Sequence, residues 1–401
     1  MNSRKILTAA LVLFLAVLGV SFAALSKMSG VEKPARQLLT ETTVTTTQPA
    51  PRKTSVKMLA VGDNLIHKPI YRQAQARTSD GSYNFMPVYD NLKDTIQSAD
   101  IAVINQETMM SKSRPVATYP CFNTPTVMAK TLADLGFDVL TIANNHMLDT
   151  QSGGLIETLD LINSTPGLIG VGAYHNREEY KQIKTLTVNE ITFAFLSYTE
   201  HTNGIKLPED KADYIIYMDE SEDVKMQVQY ARSIADVVVV SMHAGVEYAD
   251  EPNDFQKKFA QNVANWGADV VIGTHPHTLQ PIEILTAADG RKVPVLYSLG
   301  NFVSAQDKYK RLIGGMAWLT FTKEHSTGEI TVEKPQLDFA ITHYSGGFSG
   351  IKLYKLSQYN DSLAKSHSRQ EMSMKAIYEQ IYKIIGEEYL IDAYKNKNPA
   401  A

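Results

Sequence analysis

The sequence predicts an α/β protein, because short runs of β-branched residues alternate with segments that have the apolar spacing of amphipathic helices. The clearest strand-like runs are residues 236–242 and 270–272, and the helix-like segment 254–266 lies between them. Several of the runs end directly in carboxylate, amide or imidazole side chains. Open α/β folds bind ligands at the carboxyl ends of their strands. The pattern therefore predicts both a fold class and the edge of the sheet at which a functional site lies.

The composition is that of a globular protein without a basic footprint. The chain has 401 residues, enough for one large domain or two, and its 44% hydrophobic residues are ample for a sizeable core. The formal net charge of −4 argues against nucleic acid as a partner. A single cysteine, Cys121, excludes an intrachain disulfide, which is compatible with an extracytoplasmic protein that does not depend on oxidation.

The first 25 residues predict a membrane segment. Arg4 and Lys5 precede an uncharged, mostly apolar run at residues 6–25, which is about as long as a helix that crosses a bilayer. Small residues at 21–24 could serve a signal peptidase, but the long apolar run favours a retained signal-anchor at residues 1–25. With the positive end in the cytoplasm, we expect a single-pass protein of the cell membrane whose domain lies on the extracytoplasmic side.

Three further segments follow. Residues 26–55 are rich in Thr, Pro, Gln and Lys and predict a flexible linker. Residues 56–345 carry the strand and helix pattern of a folded domain. Residues 346–401 are interpreted as a C-terminal helical extension, because residues 379–389 fall in an amphipathic segment. This extension could pack back on the domain or serve a partner.

The first predicted strand, residues 56–61, ends in Gly62 and Asp63. A carboxylate that a glycine releases beyond a buried strand is well placed for ligand binding. Asp63 is therefore the first candidate metal ligand, although Gly-Asp taken alone is more often a plain turn. His67 and Lys68 follow closely and could face the same cleft or cap the next helix.

From residue 85 onward the predicted elements alternate between helix and strand. Apolar spacing places helices at residues 85–98, 126–135, 153–162, 218–234 and 254–266. Apolar and β-branched runs place strands at residues 100–104, 137–142, 168–171, 183–188, 191–197, 236–242, 270–272, 279–285 and 293–298. The pair joined by Asn189 and Glu190 predicts a hairpin, and hence an antiparallel margin to the sheet.

Three of these strands lead directly into polar residues. Glu107 follows the strand at 100–104, Asn145 and His146 follow the strand at 137–142, and His243 follows the strand at 236–242. Turn and N-cap roles would account for each residue alone. Their repeated position at strand ends favours a function.

The segment at residues 273–277 has the spacing of a metal-binding motif. Gly273 lets the backbone turn after the buried run, and His275 and His277 follow one residue apart. In an extended segment, residues i and i+2 point to the same side, so both imidazoles could converge on one ion while Pro276 stiffens the loop. The alternative is that one histidine caps the strand and the other lies on the surface.

The strand ends together supply a mixed set of carboxylate, amide and imidazole donors. The candidate metal ligands are Asp63, Glu107, Asn145, His243, His275 and His277. Such donors suit Mn²⁺, Zn²⁺ or Fe better than Ca²⁺ or a thiolate site. Two such ions about 4 Å apart would clamp a phosphoryl group and activate water at neutral pH. The sequence therefore predicts one or two divalent transition-metal ions.

These residues resemble the calcineurin-like metallophosphoesterase pattern and, more closely, the CapA family of poly-γ-glutamate capsule biosynthesis proteins. Six motifs between about residues 56 and 303 carry the resemblance, in the order of the family. They are Gly62-Asp63, Asn105-Gln106-Glu107, Asn144-Asn145-His146 with Asp149, His243 with Glu247-Tyr248, His275-Pro276-His277 with Gln280, and Ser298 to Phe302.

The resemblance implies a four-layer α/β/β/α sandwich of metallophosphoesterase type, preceded by an N-terminal transmembrane helix. It also implies a membrane-anchored role in making or exporting a poly-γ-glutamate-type polymer, with synthase or export membrane subunits and the anionic polymer as partners. His146 matches the general acid of the superfamily, which protonates a leaving oxygen. The candidate substrate-binding residues are His67, Lys68, Glu247, Tyr248 and Asn301.

Two departures from the superfamily pattern leave alternatives open. This chain has Leu65 where a fully equipped phosphoesterase has a histidine, and Asn105-Gln106-Glu107 where the superfamily has Gly-Asp-x-x-Asp. Glu107 could replace the bridging aspartate, and His67 could partly replace the missing imidazole. The chain could be a hydrolase or transferase that acts on a phosphoester or amide. It could also be a non-catalytic accessory subunit whose metal stabilises the fold or binds the polymer.

Overall fold

The computed structural model describes residues 52–369 and 371–397. The predicted signal-anchor lies outside the described residues, as does most of the predicted linker. Among the helices that are described, none is both long and apolar enough to cross a bilayer. The folded chain begins a few residues before the predicted boundary at 56, because the first strand pairs from Lys53 onward.

The described residues alternate between strands and helices along most of their length. The strands are β1 (Lys53–Asn64), β2 (Ile101–Asn105), β3 (Val139–Thr141), β4 (Ile169–Val171), β5 (Lys184–Val188), β6 (Ile191–Thr199), β7 (Val237–His243), β8 (Val270–Thr274), β9 (Leu279–Thr286), β10 (Lys292–Leu299), β11 (Asn301–Val303), β12 (Ile313–Glu324), β13 (Glu329–Val332), β14 (Gln336–Ser345) and β15 (Ser349–Lys355). The α-helices are α1 (Lys68–Ala76), α2 (Met86–Tyr89), α3 (Lys93–Gln97), α4 (Val127–Leu135), α5 (Gln151–Ser164), α6 (Ser221–Ile234), α7 (Asp254–Trp266), α8 (Asp361–Ser366) and α9 (Met374–Ile384).

The strands form two mixed sheets. The order in the first sheet is β15-β14-β12-β1-β2-β3-β4, with β11 also paired to β1 and β13 to β12, and the order in the second is β5-β6-β7-β8-β10-β9. β1 to β4 run parallel to one another, as do β6, β7, β8 and β10. Within each sheet, the residues that follow these strands therefore emerge at one edge. The predicted hairpin is confirmed, since β5 and β6 pair antiparallel at the margin of the second sheet.

The two sheets stack on each other, as the alternating side chains of β7 show. Val237 and Val239 join one core with residues of the first sheet, whereas Val238 and Val240 join a second core with side chains of α6 and α7. Phe193 of β6 contacts Phe321 of β12 across the interface, with ring centroids 5.1 Å apart. Helices α1, α2 and α5 pack on the first sheet. The predicted α/β fold class is therefore confirmed, with two sheets.

The predicted helix at residues 85–98 is divided in the structure. It consists of α2, a 3₁₀ turn at Asp90–Leu92 and α3. The apolar residues at four-residue spacing are buried as predicted. The Tyr89 hydroxyl, however, donates a hydrogen bond of 2.7 Å to Asn64 of β1, which fixes the chain where the helix tightens. The sequence spacing carries no signal for this tertiary contact.

The predicted domain boundary at residue 345 needs correction. β15 lies beyond it and pairs antiparallel with β14, so the first sheet includes residues that the sequence pattern assigns to the extension. The predicted C-terminal helix exists as α9, which begins and ends earlier than residues 379–389. Ile381 of α9 is fully buried, and Lys383 Nζ lies 2.6 Å from Asp250 Oδ2. The C-terminal residues that the structure describes therefore pack on the domain, because their apolar side chains complete its core.

Gly62 allows a close approach that a larger residue would prevent. A Cβ atom at this position would lie 1.8 Å from the carbonyl oxygen of Gly300, which accepts a hydrogen bond from the Asp63 amide. We expect Gly62→Ala to lower the free energy of unfolding by about 3 kcal/mol, the upper end of the usual cost of overpacking. Gly153 is the control, because the space around its Cβ position in α5 is open. In urea titrations Gly153→Ala should be neutral or stabilising; an unchanged midpoint for Gly62→Ala would contradict the prediction.

Candidate metal centre

Asp63 lies at the end of β1, where the first sheet meets the turn after β8. Its carboxylate is fully buried. Oδ1 accepts a hydrogen bond of 2.7 Å from Asn105 Nδ2, and Oδ2 lies 3.1 Å from His277 Nδ1. The glycine before Asp63 and the parallel pairing of β1 with β2 bring these groups together. Asp63 is thus held between a neutral amide and an imidazole.

Glu107 brings a second carboxylate to the same place. Both of its carboxylate oxygens are buried and have no hydrogen-bond partner within the described residues. Oε1 lies 3.7 Å from His277 Nε2, and one ligand atom from each of Asp63, Glu107 and His277 lies within 4.8 Å of the others. A buried carboxylate without partners is strongly unfavourable unless a cation or proton neutralises it. The donor set therefore fits a divalent metal ion.

The three groups perturb one another's protonation. Burial and the neighbouring Asp63 charge raise the pKa of Glu107 well above its usual range. Burial lowers the pKa of His277, but the charges of Glu107 and Asp63 outweigh it and raise that pKa to about 9. Without a metal, protons therefore compensate the charge that a metal ion would otherwise balance.

A second group of donors adjoins the first. His243 Nε2 lies 3.0 Å from Asn145 Oδ1, and its Nδ1 lies 2.9 Å from the Thr274 hydroxyl. The His243 and His275 rings have centroids 4.9 Å apart, and His275 Nδ1 is buried without a partner among the described residues. Burial and the other imidazoles lower the pKa of His275 to about 3 and that of His243 well below its usual range. Both rings are therefore neutral, which is the form that binds metals.

The His275-Pro276-His277 segment reaches the centre by a different route from the one predicted. The sequence interpretation assumes an extended segment, but the φ angles of His275 and His277 are 100° and 60°. Both residues therefore have a left-handed backbone conformation. This conformation is uncommon for residues other than glycine and costs of order 1–3 kcal/mol each. The chain turns at each histidine and places the two rings with centroids 6.2 Å apart. His277 joins Asp63 and Glu107, whereas His275 joins His243.

His146 lies beside the two donor groups and is held by its own carboxylate. Its Nδ1 lies 2.7 Å from Asp149 Oδ2, which also accepts a hydrogen bond of 2.6 Å from the Phe122 amide. The Phe122 ring packs edge-on against the imidazole, with centroids 4.8 Å apart. An Nδ1 contact of this kind fixes the tautomer and the orientation of a histidine. The other ring nitrogen, Nε2, then remains for a substrate.

His67 lies close to the centre, and Lys68 beside it is exposed. The His67 ring meets Phe122 edge-on at 5.4 Å, and burial, followed by the His277 charge, lowers its pKa to about 4. Lys68 is exposed, and its side chain makes no hydrogen bond or ion pair with the described candidate ligands. Leu65, at the position of the missing histidine, is buried in the core. His67 is not one of the three residues whose ligand atoms lie within 4.8 Å of one another.

The remaining candidate substrate residues border the His277 side of the centre. The Tyr248 amide donates a hydrogen bond of 2.7 Å to the Pro276 carbonyl oxygen, and its ring centroid lies 6.0 Å from that of His277. Glu247 beside it is exposed. Asn301 is buried, and its Nδ2 donates to the His277 carbonyl oxygen at 3.4 Å. Asn301 therefore supports the ligand turn directly.

His201 and Asn203 also lie near the centre, and neither is among the candidates that the sequence predicts. The His201 ring lies 5.2 Å from the His275 ring, and Asn203 Oδ1 accepts a hydrogen bond of 3.3 Å from Asn145 Nδ2. Both follow β6, so a signal is present: they come just after a strand, as the other candidates do. The predicted end of that strand at residue 197, two residues early, obscures it.

A family profile and several curated proteins are similar to this chain. A family profile described as "Bacterial capsule synthesis protein PGA_cap" matches residues 57–306. The chain is 35% identical over 188 residues to the PGA biosynthesis protein CapA of Bacillus subtilis. The aligned stretch covers 44% of this chain and 45% of that protein. The chain is 30% identical over 234 residues to a Mycobacterium tuberculosis protein named "Probable polyglutamine synthesis accessory protein", which covers 54% of this chain and 58% of that one.

The matched stretches thus span only about half the length of these curated relatives. Among solved structures, the fold is similar to the NAD nucleotidase of Haemophilus influenzae with a TM-score of 0.46 and 12% identity. That match covers 87% of this chain and 60% of the nucleotidase, and it is a distant likeness.

Proposed function

Because the chain belongs to the bacterial capsule synthesis family PGA_cap, we propose that it serves the synthesis or export of an anionic poly-γ-glutamate-type polymer through a divalent metal centre. The environment of Glu107 is the observation that supports a metal ion. Glu107 lies beside Asp63 and His277, and its two buried carboxylate oxygens lack hydrogen-bond partners among the described residues. The name of the Bacillus subtilis relative, a PGA biosynthesis protein, supports the identity of the polymer.

The residues assigned to the metal fall into two adjoining groups. Asp63, Glu107 and His277 would hold one ion, and Asn145, His243 and His275 would contribute to a second. A bound Mn²⁺, Zn²⁺ or Fe ion would polarise a phosphoryl or carbonyl oxygen and activate water. We further propose that the two stacked sheets and their helices form a four-layer α/β/β/α sandwich of metallophosphoesterase type.

His146 is the proposed general acid. Asp149 holds its Nδ1 at 2.7 Å, so that the ring in its imidazolium form can donate the Nε2 proton to a leaving oxygen or nitrogen. Phe122 covers one side of the imidazole and limits the access of water. The reaction class that this arrangement supports is hydrolysis or transfer at a phosphoester or amide, in which the leaving group departs protonated.

A second function is supported by the name of the Mycobacterium tuberculosis relative, which describes an accessory protein. In this alternative the metal stabilises the fold, and the domain binds the anionic polymer or the synthase and export subunits without catalysis. A closed coordination sphere would suit this role, whereas a catalytic site keeps an open position.

One experiment separates the two functions. Protein purified without chelator is analysed for metal content and for hydrolysis of a generic phosphodiester such as bis(p-nitrophenyl) phosphate. We expect at least one equivalent of transition metal and activity that chelator removes and metal restores. Metal with no hydrolysis at any pH between 5 and 9 would favour the accessory function, and protein without metal would contradict both.

The position in the cell is also a proposal. Arg4 and Lys5 before the apolar run support a single-span protein with its domain outside the cytoplasm. Protease added to intact cells from which the wall has been stripped should then remove the domain while a cytoplasmic marker survives. A domain that stays protected until the cells are lysed would contradict this orientation.

A further inference from the structure

The positively charged side chain of Arg311 lies at the rim of the candidate metal centre. The Arg311 guanidinium stacks on the Tyr248 ring, with Cζ 3.4 Å from the ring centroid. The same ring lies 6.0 Å from the His277 ring, centroid to centroid. Tyr248 is 40% exposed and the Arg311 side chain is 21% exposed, so the pair borders solvent on the His277 side.

Both members of this pair are fixed to the turn that carries the ligands. The Tyr248 amide donates to the Pro276 carbonyl oxygen at 2.7 Å. Asn301 Nδ2 donates to the Arg311 carbonyl oxygen at 2.9 Å and to the His277 carbonyl oxygen at 3.4 Å. The buried side-chain amide of Asn301 thus links the backbone of Arg311 to the backbone of His277. The position of Arg311 relative to the centre is therefore set by the fold.

The charge of Arg311 is only weakly compensated. Its ion pair with Asp307 has one nitrogen to oxygen distance of 3.4 Å, and the Asp307 side chain is 56% exposed. Exposed pairs of this kind contribute little, and a guanidinium has five N–H donors. The neighbouring Lys310 differs, because its ammonium group lies 3.0 Å from Asp250, which also pairs with Lys383. Arg311 therefore has donors to spare for a ligand.

We propose that Arg311, stacked on Tyr248, binds an oxyanion of the substrate and positions the substrate against the metal centre. A planar guanidinium recognises carboxylates and phosphates through two parallel hydrogen bonds, and the tyrosine ring keeps its plane in place. The oxyanion is either a carboxylate of a glutamyl chain or a phosphate. The inference rests on the proposed function, since it names the group that holds the substrate of that same site.

The test uses the purified full chain with its metal and measures anion binding by titration calorimetry. One arm uses inorganic phosphate and the other uses poly-γ-glutamate oligomers, and the arm that responds identifies the source of the oxyanion. Arg311→Gln should weaken binding about 10-fold to 100-fold, as expected for the loss of hydrogen bonds to a charged group. Arg311→Lys should fall between, because lysine lacks the planar fork. Asp307→Asn should bind slightly more tightly, because it removes a competitor.

The matched control is Arg177→Gln. Arg177 also lies over a tyrosine ring, at 5.1 Å from the Tyr180 centroid, and it pairs with Asp213 and Asp223 away from the candidate ligands. Its variant should bind both anions like the wild type. All variants should keep the wild-type metal content, since a loss of metal would concern the proposed function instead. Equal affinity of Arg311→Gln and wild type for both anions would overturn the inference, as would metal-loaded wild type that binds neither anion.

Discussion

Replacing His146 with glutamine is expected to lower the hydrolytic rate by about 10²–10⁴-fold, the usual contribution of one positioned acid. Glutamine matches the size and hydrogen bonding of imidazole but cannot transfer a proton. The contact between His146 Nδ1 and Asp149 orients the ring without involving it in either donor group. Folding and metal content should therefore stay close to those of the wild type, while kcat for the phosphodiester or the output of polymer falls.

His343 provides the control for this variant. It is 6% exposed, as His146 is, and its Nδ1 lies 2.9 Å from the Tyr359 hydroxyl, within a histidine and tyrosine cluster at the β14 and β15 edge. His343→Gln should keep the wild-type rate. Loss of metal or unfolding of His146→Gln would show that His146 is a ligand or a core residue. Normal polymer output from that variant would favour the accessory function.

Replacing Glu107 with glutamine is expected to abolish metal binding by the group of Asp63, Glu107 and His277. It should therefore also change how much the protein is stabilised when metal is added. A metal at 100 times its dissociation constant stabilises the wild type by about 2.7 kcal/mol, because it binds only the folded state. An amide supplies a neutral and weaker donor in place of a carboxylate. The melting temperature of the variant should therefore rise less than that of the wild type when metal is added, since only the donors Asn145, His243 and His275 are left unchanged.

The pH dependence of the metal-free protein provides a second measurement on the same residue. Glu107 has a raised pKa in the folded state, and the pKa of His277 is raised to about 9. Between about pH 6.5 and 9 these two groups bind more protons in the folded state than in the unfolded state, so their contribution to the free energy of unfolding should fall as pH rises. The lowered pKa values of His67, His243 and His275 act in the opposite direction below that range. In Glu107→Gln the carboxyl group is gone and His277 loses the charge that raises its pKa most, so the fall should be shallower. If the free energy of unfolding changed with pH in the same way for variant and wild type from pH 5 to 9, that result would contradict this account.

The strand and helix pattern is readable from the sequence where local signals agree with the tertiary fold. α7 has the bounds that its sequence predicts, because Asn253 and Gln256 form a capping box at its start and Gly267 follows its end. The strand ends are readable for a similar reason, since a short β-branched run that stops abruptly at polar residues marks the point where a buried strand leaves the core. The candidate ligands come from both sheets, and their convergence follows from the shared edge.

The features that the sequence does not predict depend on contacts between distant residues. β12 and β14 are absent from the predicted strands, although β12 pairs with most of β1 and lies between β14 and β1 in the interior of the first sheet. Pairing over such a separation leaves no signal in a local window. The left-handed backbone of His275 and His277 is equally unexpected, because residues other than glycine adopt it only in a few per cent of cases. Only the surrounding structure, with the Pro276 carbonyl oxygen bonded to the Tyr248 amide, stabilises that turn.

The central claim is that the carboxylates at the ends of β1 and β2 and the imidazoles that follow β8 hold a divalent metal. Anomalous diffraction from crystals of metal-loaded protein, measured on both sides of the absorption edge of the metal, tests it most directly. The account predicts a peak about 2.0–2.2 Å from oxygen or nitrogen atoms of Asp63, Glu107 and His277, the distances typical of Zn²⁺. Crystals of a His275→Ala, His277→Ala double variant should lack the peak. A peak elsewhere in the molecule, or one that persists in the double variant, would contradict the claim.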